Sequence, residues 1–242
     1  MPCVKNDWAF TAPLHGERGV PGEKGAIDLR YDAVLFDVDG TLVHSSPGIL
    51  ETMRHTFRQM GVDPETLDLN RFLGPPLRKT FSETLGSEEK SEQAVQIYRE
   101  YYDRVGQHKC SVYPGVVEML EMLKRSGVIL GMATCKALPV ALPILKEQGL
   151  YRYFDVLGGA TLDASIDDKP SVIRWALGQP ALAGRRVLMV GDRADDLNGG
   201  AANGLDAAGV LYGYGSREEL AACKPVLLAE TCGQLTRYIL DT

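Results

Sequence analysis

Hydrophobic and polar positions divide the chain into three stretches with different rhythms. Before about Arg30 the apolar residues are sparse, and Gly16, Gly19, Gly22 and Gly25 recur every third position, a register far too short for a triple helix. Residues 1–30 therefore read as a flexible Gly/Pro tail. The run Ala33-Val34-Leu35-Phe36 is then continuously apolar and has the length of a buried strand. It stops at Asp37-Val38-Asp39-Gly40-Thr41. In residues 47–60 the rhythm becomes helical, with Ile49, Leu50, Met53, Phe57 and Met60 on one side and Gly61 as the stop. Behind the stiff turn Gly74-Pro75-Pro76-Leu77 a short helix is predicted over 78–85. Another is predicted over 92–105, with Ala94, Val95, Ile97, Tyr98, Tyr101 and Tyr102 on one side. Residues 46–111 thus read as all helical, without a strand, and as a separate small subdomain inserted after the first strand.

From Val112 onward, strands and helices alternate. Strands are predicted over 128–134, 154–157, 187–190, 207–212 and 226–228. Between and after them come helices opening at Tyr113-Pro114-Gly115 and running through Lys124, then 138–148, 171–177, 195–203, 217–222 and a last one through Leu240. That alternation predicts an α/β fold, a mostly parallel sheet with helices on both faces. Residues 31–45 and 112–242 would form this core.

Composition narrows the picture. At 242 residues, 45% hydrophobic and 24% charged, the chain has the make-up of an ordinary globular protein. A net charge of −6 argues against a nucleic-acid polymer as partner, because phosphate backbones need a basic face. A local basic pocket for a small anion stays open. Cys3, Cys110, Cys135, Cys223 and Cys232 are scattered and lack C-x-x-C spacing, which favours free thiols in a reducing compartment. No apolar run approaches membrane-spanning length, and no signal-peptide apolar region is evident. A cytoplasmic monomer or homodimer with no membrane partner is expected.

The chemically active side chains fall at strand ends. Asp37 and Asp39 close the first strand, Thr134 and Lys136 the second, and Asp192 and Asp196 the fourth; Lys169-Pro170 begins the helix before it. In open parallel sheets, ligands sit beyond the carboxyl ends of the strands. Singly, each residue has a plain reading: Thr134 as a helix cap, Lys169 as a solvated partner of Asp167 and Asp168, Asp192 and Asp196 as acids at a helix start. Their joint appearance in this order points to a site. Three acids around one point suit a hard cation, and with phosphate present they suit Mg2+. A carboxylate can attack phosphorus to form an aspartyl-phosphate, provided a metal and a lysine supply positive charge. The Thr134 hydroxyl and backbone N–H groups after Asp37, those of Val38 and Gly40, can hold phosphate oxygens. A second acid must protonate the leaving oxygen and later activate water.

In this order, Asp37-x-Asp39-Gly40-Thr41-Leu42, Thr134, Lys169 and Gly191-Asp192-x-x-x-Asp196 resemble the four motifs of the haloacid dehalogenase superfamily phosphatases. The resemblance runs from about Tyr31 to the C-terminus. It implies a Rossmann-like core with a helical cap inserted after the first motif. It also implies Asp37 as nucleophile, Asp39 as acid/base, Thr134 as a phosphate ligand and Lys169 as the neutralising cation. Mg2+ would be held by Asp37, the Asp39 carbonyl and Asp192, with Asp196 in support. The dehalogenase branch lacks the second Asp, so Asp39 favours phosphate chemistry. Gly74-Pro75-Pro76-Leu77, Tyr113-Pro114-Gly115 and Gly209-Val210-Leu211-Tyr212-Gly213-Tyr214-Gly215 look like the phosphoglycolate phosphatase branch; similar sequences include 5′-nucleotidases.

His44-Ser45 stands where the family often has Asp-Ser, and Cys135 where Asn or Ser is commoner. His44 reads as a tolerated hinge substitution, Cys135 as a small buried filler and His55 as a surface residue. Arg78 and Lys79, after the Pro-Pro loop, are candidates to meet a second anion on a small phosphorylated metabolite. The expected activity is a phosphoglycolate phosphatase-like hydrolase, with a nucleotidase or a sugar-phosphate or pyrophosphate phosphatase as alternatives. From another class, a receiver-type phospho-acceptor or a partner-binding relative would use the same aspartate; the receiver needs neither Asp39 nor the helical insertion.

Overall fold

The computed structural model describes residues 29–241; the Gly/Pro tail expected over 1–30 lies, up to residue 28, outside them. The first apolar run is β1 (Ala33–Phe36), with all four side chains buried. It is followed by β2 (Val43–His44), α1 (Ser46–Gln59), α2 (Leu77–Leu85), α3 (Glu88–Arg104) and β3 (Ser111–Val112). The alternating part then runs α4 (Val116–Arg125), β4 (Ile129–Ala137), α5 (Leu138–Glu147), β5 (Val156–Ala160), α6 (Lys169–Leu177) and β6 (Val187–Gly191). It ends with α7 (Ala194–Ala202), β7 (Asp206–Val210), α8 (Arg217–Ala222), β8 (Leu227–Ala229) and α9 (Cys232–Leu240).

Six strands form one sheet in the order β5-β4-β1-β6-β7-β8, and every neighbouring pair is parallel. This is the Rossmann-like α/β arrangement. Alternate residues of β1 point to opposite faces. Val34 and Phe36 pack with Leu120, Leu123, Leu235 and Ile239 of α4 and α9. Ala33 and Leu35 pack on the other face with Val172, Ile173 and Leu197 of α6 and α7. Because β4 and β6 flank β1 on its two sides, the strand order reverses there, and the end of β1 opens into the crevice where such sheets bind ligands.

The insertion packs α1, α2 and α3 around aromatic rings. Phe57 and Phe81 meet edge to face at 5.6 Å, and Phe81 meets Tyr98 likewise at 6.2 Å. No described helix is long and apolar enough to cross a membrane.

Several boundaries differ from the pattern-based expectation. Residues 46–111 are not strandless to their end: Ser111 and Val112 pair antiparallel with His44 and Val43. A two-residue ribbon is too short to leave an alternating pattern. The third helix starts at Glu88 rather than 92, behind a Ser87 cap that accepts from Lys90 N–H; its first turn is polar and so carries no apolar period. Strand β4 runs to Ala137 instead of 134, with a register irregularity after Thr134. Strand β5 lies later than 154–157 because Gly158 and Gly159 interrupt its apolar run. Helix α6 begins at Lys169, two residues early, capped by Asp168 and with Pro170 in its first turn.

Candidate active site

Asp37 extends β1 by one residue, its N–H donating to the Val190 carbonyl at 2.9 Å. The chain then folds back, and the Val38 carbonyl accepts from Leu42 at 3.0 Å and Val43 at 2.9 Å. Gly40 makes this turn with φ +86°, and a Cβ there would fall 2.1 Å from Asp192 Oδ2. Only glycine fits, on both counts. The Gly40 N–H donates to the Val43 carbonyl at 2.8 Å, so the expectation that it holds a phosphate oxygen is corrected: Gly40 contributes space. The Val38 N–H has no protein acceptor among the described residues.

Lys169, the first residue of α6, threads its buried stem past Gly199 of α7, where a Cβ would lie 2.7 Å from Lys169 Cγ. Its ammonium donates to Asp37 Oδ1 at 2.7 Å and the Ala133 carbonyl at 2.9 Å, and it pairs with Asp196 Oδ1 at 2.7 Å. The other Asp196 oxygen accepts from the Asp192 and Arg193 N–H groups at 3.1 and 3.0 Å, closing the start of α7. Asp192 in turn accepts from Thr41 Oγ1 at 3.2 Å and from Tyr214 N–H at 2.7 Å. Asp37 Oδ2 has no protein partner among the described residues.

Carboxylate oxygens of Asp37, Asp192 and Asp196 lie within 4.8 Å of one another, all three residues buried. Burial pushes Asp37 up to about 7, Lys169 opposing and Asp196 and Asp39 adding to the shift. Burial, then Asp196 and Asp37, raises Asp192 well above the usual carboxylate range. For Lys169, burial works against the ammonium, but Asp196 and Asp37 outweigh it and raise its pKa well above the ordinary value. Three buried carboxylates share one ammonium, and with all three ionised the surplus is two negative charges, which adds to burial in raising Asp37 and Asp192. The all-oxygen donor set and that surplus fit a hard divalent cation.

Asp39 faces another way. It accepts from Ser45 Oγ and pairs with Lys136 Nζ at 3.1 Å. Lys136 also donates to Tyr102 Oη of α3 at 3.0 Å and lies over that ring. Thr134 is buried, and its Oγ1 accepts from Lys136 N–H at 3.2 Å. The Tyr214 hydroxyl accepts from the N–H groups of Ser45 and Ser46 at 2.9 and 3.0 Å, holding the entry to α1. Arg193 pairs with Glu219 at 2.9 Å and donates to the Leu73 carbonyl, so the Pro-Pro loop is tied to the core.

These groups surround one cavity of about 430 Å³. Asp37, Asp39, Thr134, Lys169 and Asp196 line its core end, with Asp192 directly behind; Ile49, Met53, Phe72, Leu77, Val95 and Tyr98 form an apolar wall opposite. The structure thus brings the sequence candidates together. Arg78 and Lys79 reach the rim, but Arg78 is paired with Glu92. His44 Nδ1 lies 3.2 Å from Tyr113 Oη, part of the aromatic packing at β2. Burial pushes the Cys135 thiol up to about 12, which suits a filler and not a nucleophile. His55 stacks on Tyr101 at 4.0 Å.

Sequence reasoning did not place Ser45, Tyr102, Arg193, Arg99 or Tyr214 at the site, and it noted Lys136 only as a strand-end residue. Tyr214, between Gly213 and Gly215, left a signal: large aromatics flanked by glycines mark a backbone held close to something. The others left none.

The fold and site define a Rossmann-like α/β protein in which one carboxylate oxygen, unpaired among the described residues, sits where a parallel sheet reverses its strand order. The chain belongs to the haloacid dehalogenase-like hydrolase family, whose family model matches residues 34–210. It is similar to a Pseudomonas aeruginosa protein named 5′-nucleotidase, 38% identical over 199 residues, covering 81% of this chain and 90% of that one. It is also 38% identical over 183 residues to the Mycobacterium tuberculosis tyrosine-protein kinase PtkA, covering 75% of this chain and only 62% of that protein. A Vibrio vulnificus phosphoglycolate phosphatase is 29% identical over 220 residues, with 86% and 95% covered. Among solved structures, a predicted phosphatase from Clostridium acetobutylicum superposes with a TM-score of 0.81 at 34% identity, covering 88% of this chain and 99% of that one.

Proposed function

We propose that the chain is a Mg2+-dependent phosphatase that hydrolyses a small phosphomonoester through an aspartyl-phosphate on Asp37. The observation that carries this is the Lys169 bridge, which fixes one Asp37 oxygen at 2.7 Å and leaves the other toward the cavity. Asp37 Oδ2 attacks phosphorus as the ester P–O bond breaks, and the Asp39 carboxyl gives its proton to the leaving oxygen. Asp39, now a carboxylate, takes a proton from a water that attacks the Asp37-bound phosphorus. Inorganic phosphate leaves and both aspartates return to their starting states. Val38 N–H and Thr134 Oγ1 hold phosphoryl oxygens, and Lys169 offsets their charge. Asp37, the Asp39 main-chain carbonyl and Asp192 would hold the ion. Asp196, held by Lys169 and by the Asp192 and Arg193 N–H groups, supports the cluster. When bound, the cation would supply positive charge that offsets the repulsion between the carboxylate and the phosphoryl group.

In this reading residues 46–111 act as a cap over the core of 31–45 and 112–242. The similarity to phosphoglycolate phosphatases supports a small acid as leaving group. The cavity of about 430 Å³ with its apolar wall favours a second reading, a larger leaving group such as a nucleoside, as the 5′-nucleotidase relative also does. A receiver-type acceptor needs no such cavity.

Hydrolysis of p-nitrophenyl phosphate, with Mg2+ and after chelation, tests the proposal. Turnover is expected only with the ion. Asp37→Asn is expected to lose at least about a thousandfold in kcat while its circular dichroism and melting stay those of a folded protein. Undiminished turnover by Asp37→Asn contradicts attack by that residue.

A further inference from the structure

Most basic side chains that line the cavity already have an anionic partner. Lys169 bridges Asp37 and Asp196, Lys136 meets Asp39, Arg193 meets Glu219, and Arg78 turns to Glu92. Lys79 is exposed. Arg99 is different. It projects from the middle of α3, one turn after Val95 and one before Tyr102, on the face that lines the cavity. Among the described residues no carboxylate forms an ion pair with it, and its hydrogen bond is a long one, 3.5 Å from Nη2 to the Leu162 carbonyl. Burial lowers its pKa, repulsion from Arg78 adds to the effect, and Glu92, itself paired with Arg78, opposes it. Leu162 belongs to the loop between β5 and α6, and Thr161 of that loop also lines the cavity. Arg99 therefore stands where the insertion and the core loop close the cavity from opposite sides. A partly desolvated guanidinium with no anion within salt-bridge distance among the described residues is an incomplete pair. Its planar fork matches a carboxylate or a phosphate.

We propose that Arg99 is a second anion subsite: it binds a carboxylate or phosphate at the end of the substrate remote from the scissile phosphoryl group. The preferred substrates are then phosphomonoesters that carry two separate anionic groups. This rests on the phosphatase reading above and goes further, since the core end recognises only the group that is transferred. It also moves the anion contact from Arg78, the sequence candidate, to a residue on the next helix.

The test compares wild type, Arg99→Gln and Arg99→Lys in Mg2+ on two substrate sets. One set carries a second anion (2-phosphoglycolate, 3-phosphoglycerate, a nucleoside 3′,5′-bisphosphate); the other does not (p-nitrophenyl phosphate, a nucleoside 5′-monophosphate). For the best two-anion ester, Arg99→Gln is expected to lower kcat/KM relative to p-nitrophenyl phosphate by about 10- to 100-fold, chiefly through KM. Arg99→Lys should recover part of that ratio. If Arg99→Gln slows both sets equally, Arg99 is only a latch to Leu162 and the subsite is refuted. The same follows if wild type turns over p-nitrophenyl phosphate but gains nothing from a second anion. If wild type hydrolyses no phosphomonoester at all, the phosphatase reading has failed and the subsite falls with it.

Discussion

The two ends of the cavity are built in opposite ways. At the sheet end, charged atoms are dense, buried and engaged: Asp192 and Asp196 have both oxygens bonded, Asp39 is held by Ser45 and Lys136, and Asp37 Oδ2 has no partner among the described residues. On the insertion, the wall is apolar, Arg78 is paired with Glu92 and Arg99 has only a long bond to a carbonyl. An end with nearly every polar atom committed cannot adapt to different ligands, but it holds its charges ready without reorganisation. An apolar wall with a half-buried arginine that has no ion pair among the described residues does little chemistry and selects among shapes and anions. In the proposed function, reaction and selection are thus assigned to different parts of the chain.

The strongest way to break this contrast is Lys169→Ala. It removes the one ammonium shared by Asp37 and Asp196, both buried. Truncating a buried pair leaves uncompensated charge and typically costs about 3–5 kcal/mol. Loss of one well-placed positive donor lowers kcat by about 10²–10³. Urea unfolding should show the loss most clearly without Mg2+, and added Mg2+ should restore part of it, because a cation can replace some of the missing charge. A variant that keeps more than about a tenth of wild-type kcat would mean that the cluster does not work as one electrostatic unit.

Tyr214→Phe probes the seam between the two ends and should act less strongly. Its hydroxyl accepts from Ser45 and Ser46, where the chain enters α1, while its backbone N–H serves Asp192. Removing the hydroxyl strands two N–H groups and should cost about 1–3 kcal/mol, read from chemical denaturation. The Asp192 contact survives, so the Mg2+ concentration giving half-maximal activity should not move. A shift in that concentration would tie the hinge to the metal site and blur the division.

The same division explains what was legible in the sequence. Strand periodicity located the strands of the main sheet to within a few residues, and acids at strand ends stood out because an apolar run makes a buried charge conspicuous. Asp37, Asp39, Asp192 and Asp196 were visible for that reason, and Lys169 through its position ahead of Pro170. The insertion offered no such contrast. A charged residue on an amphipathic helix looks the same whether it faces water, as Glu92 does, or a cavity, as Arg99 does. Arg193 reaches Leu73 and Glu219 across 120 and 26 residues, respectively, and Lys136 reaches Tyr102 across 34. Contacts of that kind arise from packing and leave no local spacing. The β2–β3 ribbon escaped for another reason, its two-residue length.

Arg78→Ala should have the smallest effect and sharpens the contrast within the insertion itself. Arg78 and Glu92 are 32% and 52% exposed at their side chains, and pairs that wet contribute less than about 1 kcal/mol. Arg78 holds Glu92 below the usual carboxylate range, which gives the guanidinium a resident anion that a substrate would have to displace. Its main-chain carbonyl, which accepts from Ser91 Oγ at 3.0 Å, is untouched by the substitution. Unfolding should shift by less than about 1 kcal/mol, and kcat/KM by less than about threefold on both substrate sets. Removing Arg78 takes a positive charge from beside Arg99 and leaves Glu92 without its partner, so any small change on two-anion esters should be toward weaker binding. A loss there as large as that of Arg99→Gln, and non-additive with it, would mean that the two arginines bind one anion together. The Arg78–Glu92 pair would then have to open when substrate enters.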